Sequence, residues 1–166
     1  MTKADKVLVP ISDPALDRER SVLRYLLDRY GTTTPDAPFV QFWNGELWSY
    51  ADTLAKVRLR ATTLAQAGVA RGQHVLCFMD NGPDLLTTWF AINYLGAVYV
   101  PINSGARGRI LEHLLEDADA PLLVAASYLC DRLGEVKPGK VKTVLVVEGD
   151  APSIAGLDIR PLVETS

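Results

Sequence analysis

Two spacings of apolar residues alternate along this chain. Near its start, Val22, Leu23, Leu26, Leu27 and Tyr30 share one side of a helical wheel. That predicts a helix capped by Ser21 and ending near Tyr30. Residues 1–20, rich in proline and charge, read as an irregular arm, and residues 32–38 as a loop. In FVQFWNGELWSY, two aromatic, β-prone arms flank Asn44-Gly45. This dipeptide is favoured by type I′ hairpins, whose two central residues both need positive φ. Ser49, followed three positions on by Asp52, predicts a capped helix start. Leu54, Val57, Ala61, Leu64 and Ala65 then fall on one helical side, and Gly68 stands where a glycine ends a helix.

From there, short unbroken apolar runs alternate with helical ones. Residues 75–79, 97–100, 122–125 and 144–147 read as buried strands. Residues 84–95, 107–118 and 128–134 read as helices, the last capped by Ser127, and Pro101 is expected to end the second strand. Such alternation predicts an α/β fold: a mostly parallel sheet with helices on both faces, plus an N-terminal β-hairpin. After Gly149 the periodicity fades, and the remaining residues are expected at most to begin another helix. The expected organisation is an arm over 1–20, an α/β unit over 21–150 and the start of a continuation over 151–166.

Composition narrows this picture. A chain of 166 residues is the size of one domain and buries roughly 70% of its unfolded surface. The net charge is −3, with acids and bases interleaved and no dense Lys/Arg cluster. Nucleic-acid binding, which needs a basic stripe, is therefore not expected. Cys77 and Cys130 are the only cysteines, with no CxxC partner, and Cys77 lies in the apolar run VLCFM. They read as thiols in a reducing, cytoplasmic compartment. His74 and His113 share no spacing with the cysteines, so no zinc or other metal site is expected. The opening MTKADKVLVPISDP has no apolar core of a secretory signal. Residues 85–106 carry no charge, long enough on paper for a bilayer that needs about 20 apolar residues. Thr87, Thr88, Asn93, Gly96 and Pro101 break that stretch into a helix and a strand, so no membrane span is expected.

Several chemical signatures can be tested directly. GEVKPGKV, residues 134–141, nearly spells a Walker A loop. Val141 stands where a hydroxyl must reach Mg2+, and the segment precedes a strand instead of joining strand to helix. It reads as a lysine-rich turn. No G-x-G-x-x-G fingerprint and no G-x-S-x-G elbow occurs. Glu112, His113 and Glu116 read as a solvated helix face. Asn93 falls within an apolar helical stripe, where a buried amide needs partners, most simply a neighbouring loop. Gly96 lies on the same stripe, where a missing Cβ lets backbone approach backbone. By its own chemistry the sequence shows a scaffold and no catalytic residue.

Three stretches carry a resemblance. GELWSYADTLAKVRLRATTLAQAGVARGQHV resembles the opening of adenylate-forming, AMP-binding enzymes. There, a hairpin ending Trp-Ser/Thr-Tyr-x-Glu/Asp leads into a helix and a glycine-bounded strand entry. MDNGPDLLTTWFAINYLGAVYVPINSGARGRILEHLLEDADAPLLVA is similar to the family's next segment, and KTVLVVEG to the strand that follows. The resemblance covers residues 22–149, with Gln73 and His74 departing from the usual Asp and Arg/Lys. The Arg-Gly after Val-Pro-Ile-Asn is most similar to carboxylate–CoA ligases, including carnitine-type and fatty- or aryl-acid ligases.

The resemblance implies a parent reaction joining a carboxylic acid to ATP as an acyl-adenylate, then passing the acyl group to CoA. It implies ATP, Mg2+ and CoA as cofactors of the parent, with none expected bound to this piece. The family's phosphate loop, its ribose-binding Asp and its catalytic lysine have no counterpart here. The chain is therefore expected to be an inactive N-terminal part of a longer ligase. Arg107 and Arg109 are the candidate cofactor-binding residues, since a guanidinium at a helix start can reach a phosphate. Two alternatives stay open: a freestanding α/β binding module, and an amino-acid adenylation domain that loads a carrier protein. Self-association through surface bared by truncation is also expected.

Overall fold

The computed structural model describes residues 23–164. Ser21, Val22 and the expected N-terminal arm lie outside them. Helix α1 (Leu23–Thr33) runs past the expected end at Tyr30. The hydroxyls of Thr32 and Thr33 donate back to carbonyls of Asp28 and Arg29, extending the helix through what reads in sequence as loop. Strands β1 (Pro38–Gln41) and β2 (Leu47–Ser49) form the antiparallel hairpin. Its turn is one residue longer than type I′. Gly45 N donates to Phe42 O and Phe42 N to Glu46 O. Gly45 alone takes positive φ, at 88°. Asn44 instead accepts the Glu46 N–H on its Oδ1. This is the three-residue loop closed by a left-handed glycine.

Helix α2 (Tyr50–Gln66) starts on the expected capping box. Ser49 Oγ accepts from Asp52 N at 3.1 Å, and Ser49 N donates to Asp52 Oδ2 at 3.0 Å. These bonds hold the Asp52 carboxyl below its ordinary range, the Ser49 backbone donor contributing most. Leu54, Val57, Ala61 and Leu64 are buried, while Ala65, expected beside them, faces solvent. At the end of α2, Gly68 N donates to Ala65 O and Val69 N to Leu64 O. That pair of bonds satisfies the last free carbonyls, as a glycine-terminated helix requires.

Strand β3 (His74–Phe78), helix α3 (Pro83–Tyr94), strand β4 (Val98–Ile102), helix α4 (Gly108–Asp117) and strand β5 (Leu122–Ala126) follow in alternation. A nine-residue 3-10 helix (Ser127–Glu135) leads on to β6 (Thr143–Val147) and β7 (Asp158–Pro161). All pairings in the large sheet are parallel, in the order β4-β3-β5-β6-β7. The step from β3 to β4 runs one way and the step from β4 to β5 runs back across β3. With right-handed crossovers, α3 and α4 must then cover opposite faces. Helices α1 and α2 pack with α3. Strand β5 is buried over its whole length, as a strand covered on both faces should be.

Three further expectations change here. Pro101 lies inside β4 and does not end it, because β4 is an edge strand where a missing donor can face outward. The tail forms strand β7 against β6 instead of a helix, with a partner that lies outside its own sequence. Ser127 does not cap: its hydroxyl donates to Asp150 O at 2.9 Å, and Ala126 is the N-cap.

Candidate functional site

In open α/β sheets, ligands bind beyond the carboxyl ends of the strands, where the strand order reverses. Here the reversal lies between β3 and β5. Three segments meet there: residues 79–82 after β3, residues 103–107 after β4, and the 3-10 helix after β5. A cavity of about 400 Å³ opens between the ends of β3 and β4, lined among others by Asp80, Asn81, Tyr99, Asn103 and Ser104. A second, of about 190 Å³, lies at the ends of β3, β5 and β6, lined by Trp43, Asp80, Asp84, Tyr128 and Glu148. Asp80 borders both. A larger groove, about 630 Å³, is elsewhere. It is lined by Arg24, Arg58, Tyr94 and Leu95, at the end of α3 remote from these loops.

A polar latch crosses the crevice. Tyr128 Oη donates to Asp80 Oδ2 at 2.5 Å. Donation from Ser104, then from Tyr128, holds the Asp80 carboxyl below its ordinary range; the same bond raises the Tyr128 phenol. From the same 3-10 helix, Arg132 Nη1 donates to the carbonyls of Ser104 and Ala106, the latter at 3.3 Å. Its guanidinium carbon also sits 5.8 Å from the Phe78 ring centroid. The loop after β4 is thus pinned from β5 across the end of β3. Nothing in sequence spacing signals Arg132 or Tyr128; they become neighbours of Ser104 only through the crossover.

That pinned loop ends in the expected site residues. Arg107 is the N-cap of α4, with extended backbone and no side-chain capping bond, and Arg109 lies in the first turn. Both are exposed. No hydrogen bond or ion pair of either side chain to another described residue is found. Two cations and no acid occupy this helix start, the end at which the helix dipole disfavours positive charge. The arrangement is unfavourable for the helix alone and suited to an anion.

The other singled-out residues have structural partners. Asn93 is half-buried and donates to Trp89 O within its own helix, not to a neighbouring loop. Gly96 ends α3 at φ 72°, and its carbonyl accepts Gly72 N at 2.9 Å. Gln73 closes its own turn onto Ala70 N, and His74 Nδ1 lies 2.7 Å from Ala118 O. The lysine-rich turn docks on α4 and the residues just after it: Lys137 N donates to Glu112 Oε2, and Lys140 pairs with Asp119 at 2.5 Å. Glu112 is therefore a docking point and not a purely solvated group. Cys77 and Cys130 are free and buried. Burial raises both thiols, Cys130 to about 11.

The donor set does not suit magnesium. Among the described residues, no group of three or more His, Cys, Asp or Glu side chains is placed to hold a metal ion. Asp84 is already paired to Arg60 at 2.8 Å. Among the described residues, no helix is long and apolar enough to cross a membrane.

A parallel sheet with helices between its strands and loops meeting at its carboxyl edge is an open α/β fold of the kind that binds ligands at that edge. The chain matches the model of the AMP-binding enzyme family over residues 27–161, and it belongs to that family. It is 29% identical over 136 residues to YngI of Bacillus subtilis (strain 168), named as an acyl-CoA synthetase. That match covers 74% of this chain and 25% of the relative. A crotonobetaine/carnitine–CoA ligase of Salmonella paratyphi A is 27% identical over 92 residues, 55% of this chain and 18% of that protein. Among solved structures, a long-chain-fatty-acid–CoA ligase of Archaeoglobus fulgidus superposes with a TM-score of 0.67 at 25% identity. It covers 78% of this chain, and the match spans 28% of that protein. This chain thus spans about a quarter of the length of these relatives or less.

Proposed function

We propose that this chain is the N-terminal part of an AMP-forming carboxylate–CoA ligase, acting in the cytoplasm. The parent reaction takes a carboxylic acid, ATP and CoA to acyl-CoA, AMP and pyrophosphate through an acyl-adenylate. Family membership and the ligase names of its relatives support this reading. The observation that carries the site is the pair Arg107 and Arg109, two exposed guanidiniums without side-chain partners among the described residues. Held on the pinned loop, they would take a phosphate of the nucleotide portion of CoA. Magnesium would neutralise ATP's polyphosphate for attack at phosphorus, at groups supplied by the rest of the parent. The 166-residue chain alone is then catalytically silent.

Pyrophosphate release tests the reading. The longer reading frame, given ATP, Mg2+, CoA and a panel of carboxylic acids, should release it, while this chain alone should not exceed the blank. Release by the short chain would show that the essential groups are present here after all. Acyl transfer to a carrier protein in preference to CoA would move the parent to the carrier-loading class. In the longer protein, Arg107→Ala should weaken CoA binding about tenfold, the loss of one charge-assisted hydrogen bond. An unchanged affinity removes Arg107 from the site.

A further inference from the structure

The sheet has two edges, and they are built differently. An edge strand offers unpaired backbone groups, and proteins commonly guard it with charge or proline. Strand β7, at one edge, carries Asp158, Arg160 and Pro161 in its four residues. Strand β4, at the other, has no charged residue, nor does any position from Leu85 to Ala106. Among the described residues, nothing pairs with its outer side.

The backbone of β4 shows what that side presents. Val98 N donates inward to Gln73 O at 2.8 Å. Because successive residues in a strand alternate, Val98, Val100 and Ile102 direct their backbone groups toward β3. Tyr99 and Pro101 direct theirs outward. Pro101 therefore forfeits no bond within the sheet, while Tyr99 presents both an N–H and a C=O at the open edge. The side chains around it are apolar. On the α3 side, Trp89, 41% exposed, stacks on Tyr99 with ring centroids 5.5 Å apart. Val98 is 41% exposed as well, and the alternation places it on the opposite side.

We propose that β4 is the contact surface for a second copy of this chain, paired antiparallel with a two-fold axis at Tyr99. In an antiparallel hydrogen-bonded pair, two facing residues exchange both backbone bonds. A two-fold axis at Tyr99 generates that exchange from one residue: its N–H in each copy meets the Tyr99 carbonyl of the other. The axis places Val98 of one copy opposite Val100 of the other, continuing the apolar face, and brings the two Trp89–Tyr99 stacks together. Each copy carries a net charge of −3, which weakly opposes self-association, whereas this strip places no charge against itself. The ladder stops after the Tyr99 pair. Pro101 lacks the next donor, and the Ala97 N–H is already given to Ile92 O. The dimer thus rests on two backbone bonds and the apolar strip, and it is reversible.

Sedimentation velocity on the 166-residue chain across a wide concentration range reads this directly. The chain should shift from monomer to dimer as concentration rises. Val98→Lys, a charge placed on the exposed edge, should weaken the dimer at least about tenfold and leave the thermal midpoint at low concentration unchanged. Arg160→Ala, on the β7 edge, should leave the equilibrium where it was. Tyr99→Cys supplies a second measurement. Facing residues of such a pair lie about 5.5 Å apart at Cα, within disulfide range. Mild oxidation should therefore link two copies through that position, while buried Cys77 and Cys130 stay reduced. A chain that is monomeric at every concentration overturns the proposal. So does a dimer indifferent to Val98→Lys, or one that Arg160→Ala disrupts.

Discussion

Glu148 holds both a backbone conformation and a charge that work against the fold. Its φ of 54° lies in the left-handed region, which costs a side chain with a Cβ roughly 1 kcal/mol. Its carboxyl is raised above the ordinary range, first by the charge of Asp84 and then by the hydrogen bond they share. A raised carboxyl binds its proton more tightly in the folded chain than in the unfolded one. Its contribution to stability is therefore full below the unfolded pKa of about 4.3 and is lost as pH rises through the folded value. Glu148→Gln should consequently stabilise the chain at neutral pH, by less than about 1 kcal/mol because the site is exposed. Near pH 3 it should do nothing. Glu148→Asn should add a further gain of about 1 kcal/mol at both pH values, since Asn tolerates the left-handed region. Urea titrations at the two pH values measure this. A Gln variant equally stabilised at both would show that the charge of Asp84 is not what raises Glu148.

At the scale of elements, glycine positions decide how helices and loops meet. Gly68 and Gly96 end α2 and α3 with the same two-bond pattern and with φ of 95° and 72°. A Cβ at Gly68 meets open space, while one at Gly96 lies 3.2 Å from Arg71 Cγ, which a flexible side chain can relieve. At Gly139, φ is 58° and a Cβ would lie 2.5 Å from the Leu115 carbonyl oxygen and 2.9 Å from Glu116 Cα. That is backbone, which cannot step aside without shifting α4. Gly→Ala should therefore cost about 1 kcal/mol at Gly68, slightly more at Gly96, and most at Gly139. Chemical denaturation gives the ranking, and a Gly139 variant no worse than Gly68→Ala would mean that the turn is not pressed onto α4. The same contrast explains what the sequence makes legible. The Ser49–Asp52 cap, the hairpin and the helix-ending glycines act through neighbours a few residues away, so their signals are local. Strand β7, Gly139 against α4, and Arg132 on the Ser104 loop depend on partners brought close by the crossovers. The helix start that carries Arg107 and Arg109 is legible for the same local reason, while the latch that fixes its loop is not.

Over the whole molecule, one buried arginine gathers distant parts of the chain. Arg60 on α2 is 7% exposed. It donates to Thr88 Oγ1 at 2.7 Å, Asp84 Oδ1 at 2.8 Å and Glu164 Oε1 at 2.5 Å. Helix α2, the start of α3 and the chain beyond β7 are thereby joined at a single guanidinium, whose fork presents donors to all three at once. Removing it leaves two carboxylates and a hydroxyl facing a hole. Each carboxylate side chain is 31% exposed and can rehydrate in part, so Arg60→Ala should cost about 3 kcal/mol, the low end for a broken buried pair. Arg60→Lys should recover only part of that, since one ammonium cannot span the three partners. Glu164→Gln separates the two functions of the cluster. Asp84 and Thr88 still engage Arg60, so the α2–α3 packing should persist while the tail loses its anchor. β7 is an edge strand whose partly exposed pattern gives it few buried contacts of its own, the profile of a segment that opens locally before the whole domain does. Amide exchange should then speed up at Asp158, Ile159, Arg160 and Leu162 in Glu164→Gln, with β3 and β5 unchanged. Equal acceleration across the sheet would show that the tail is a cooperative part of the core and not a separately anchored edge.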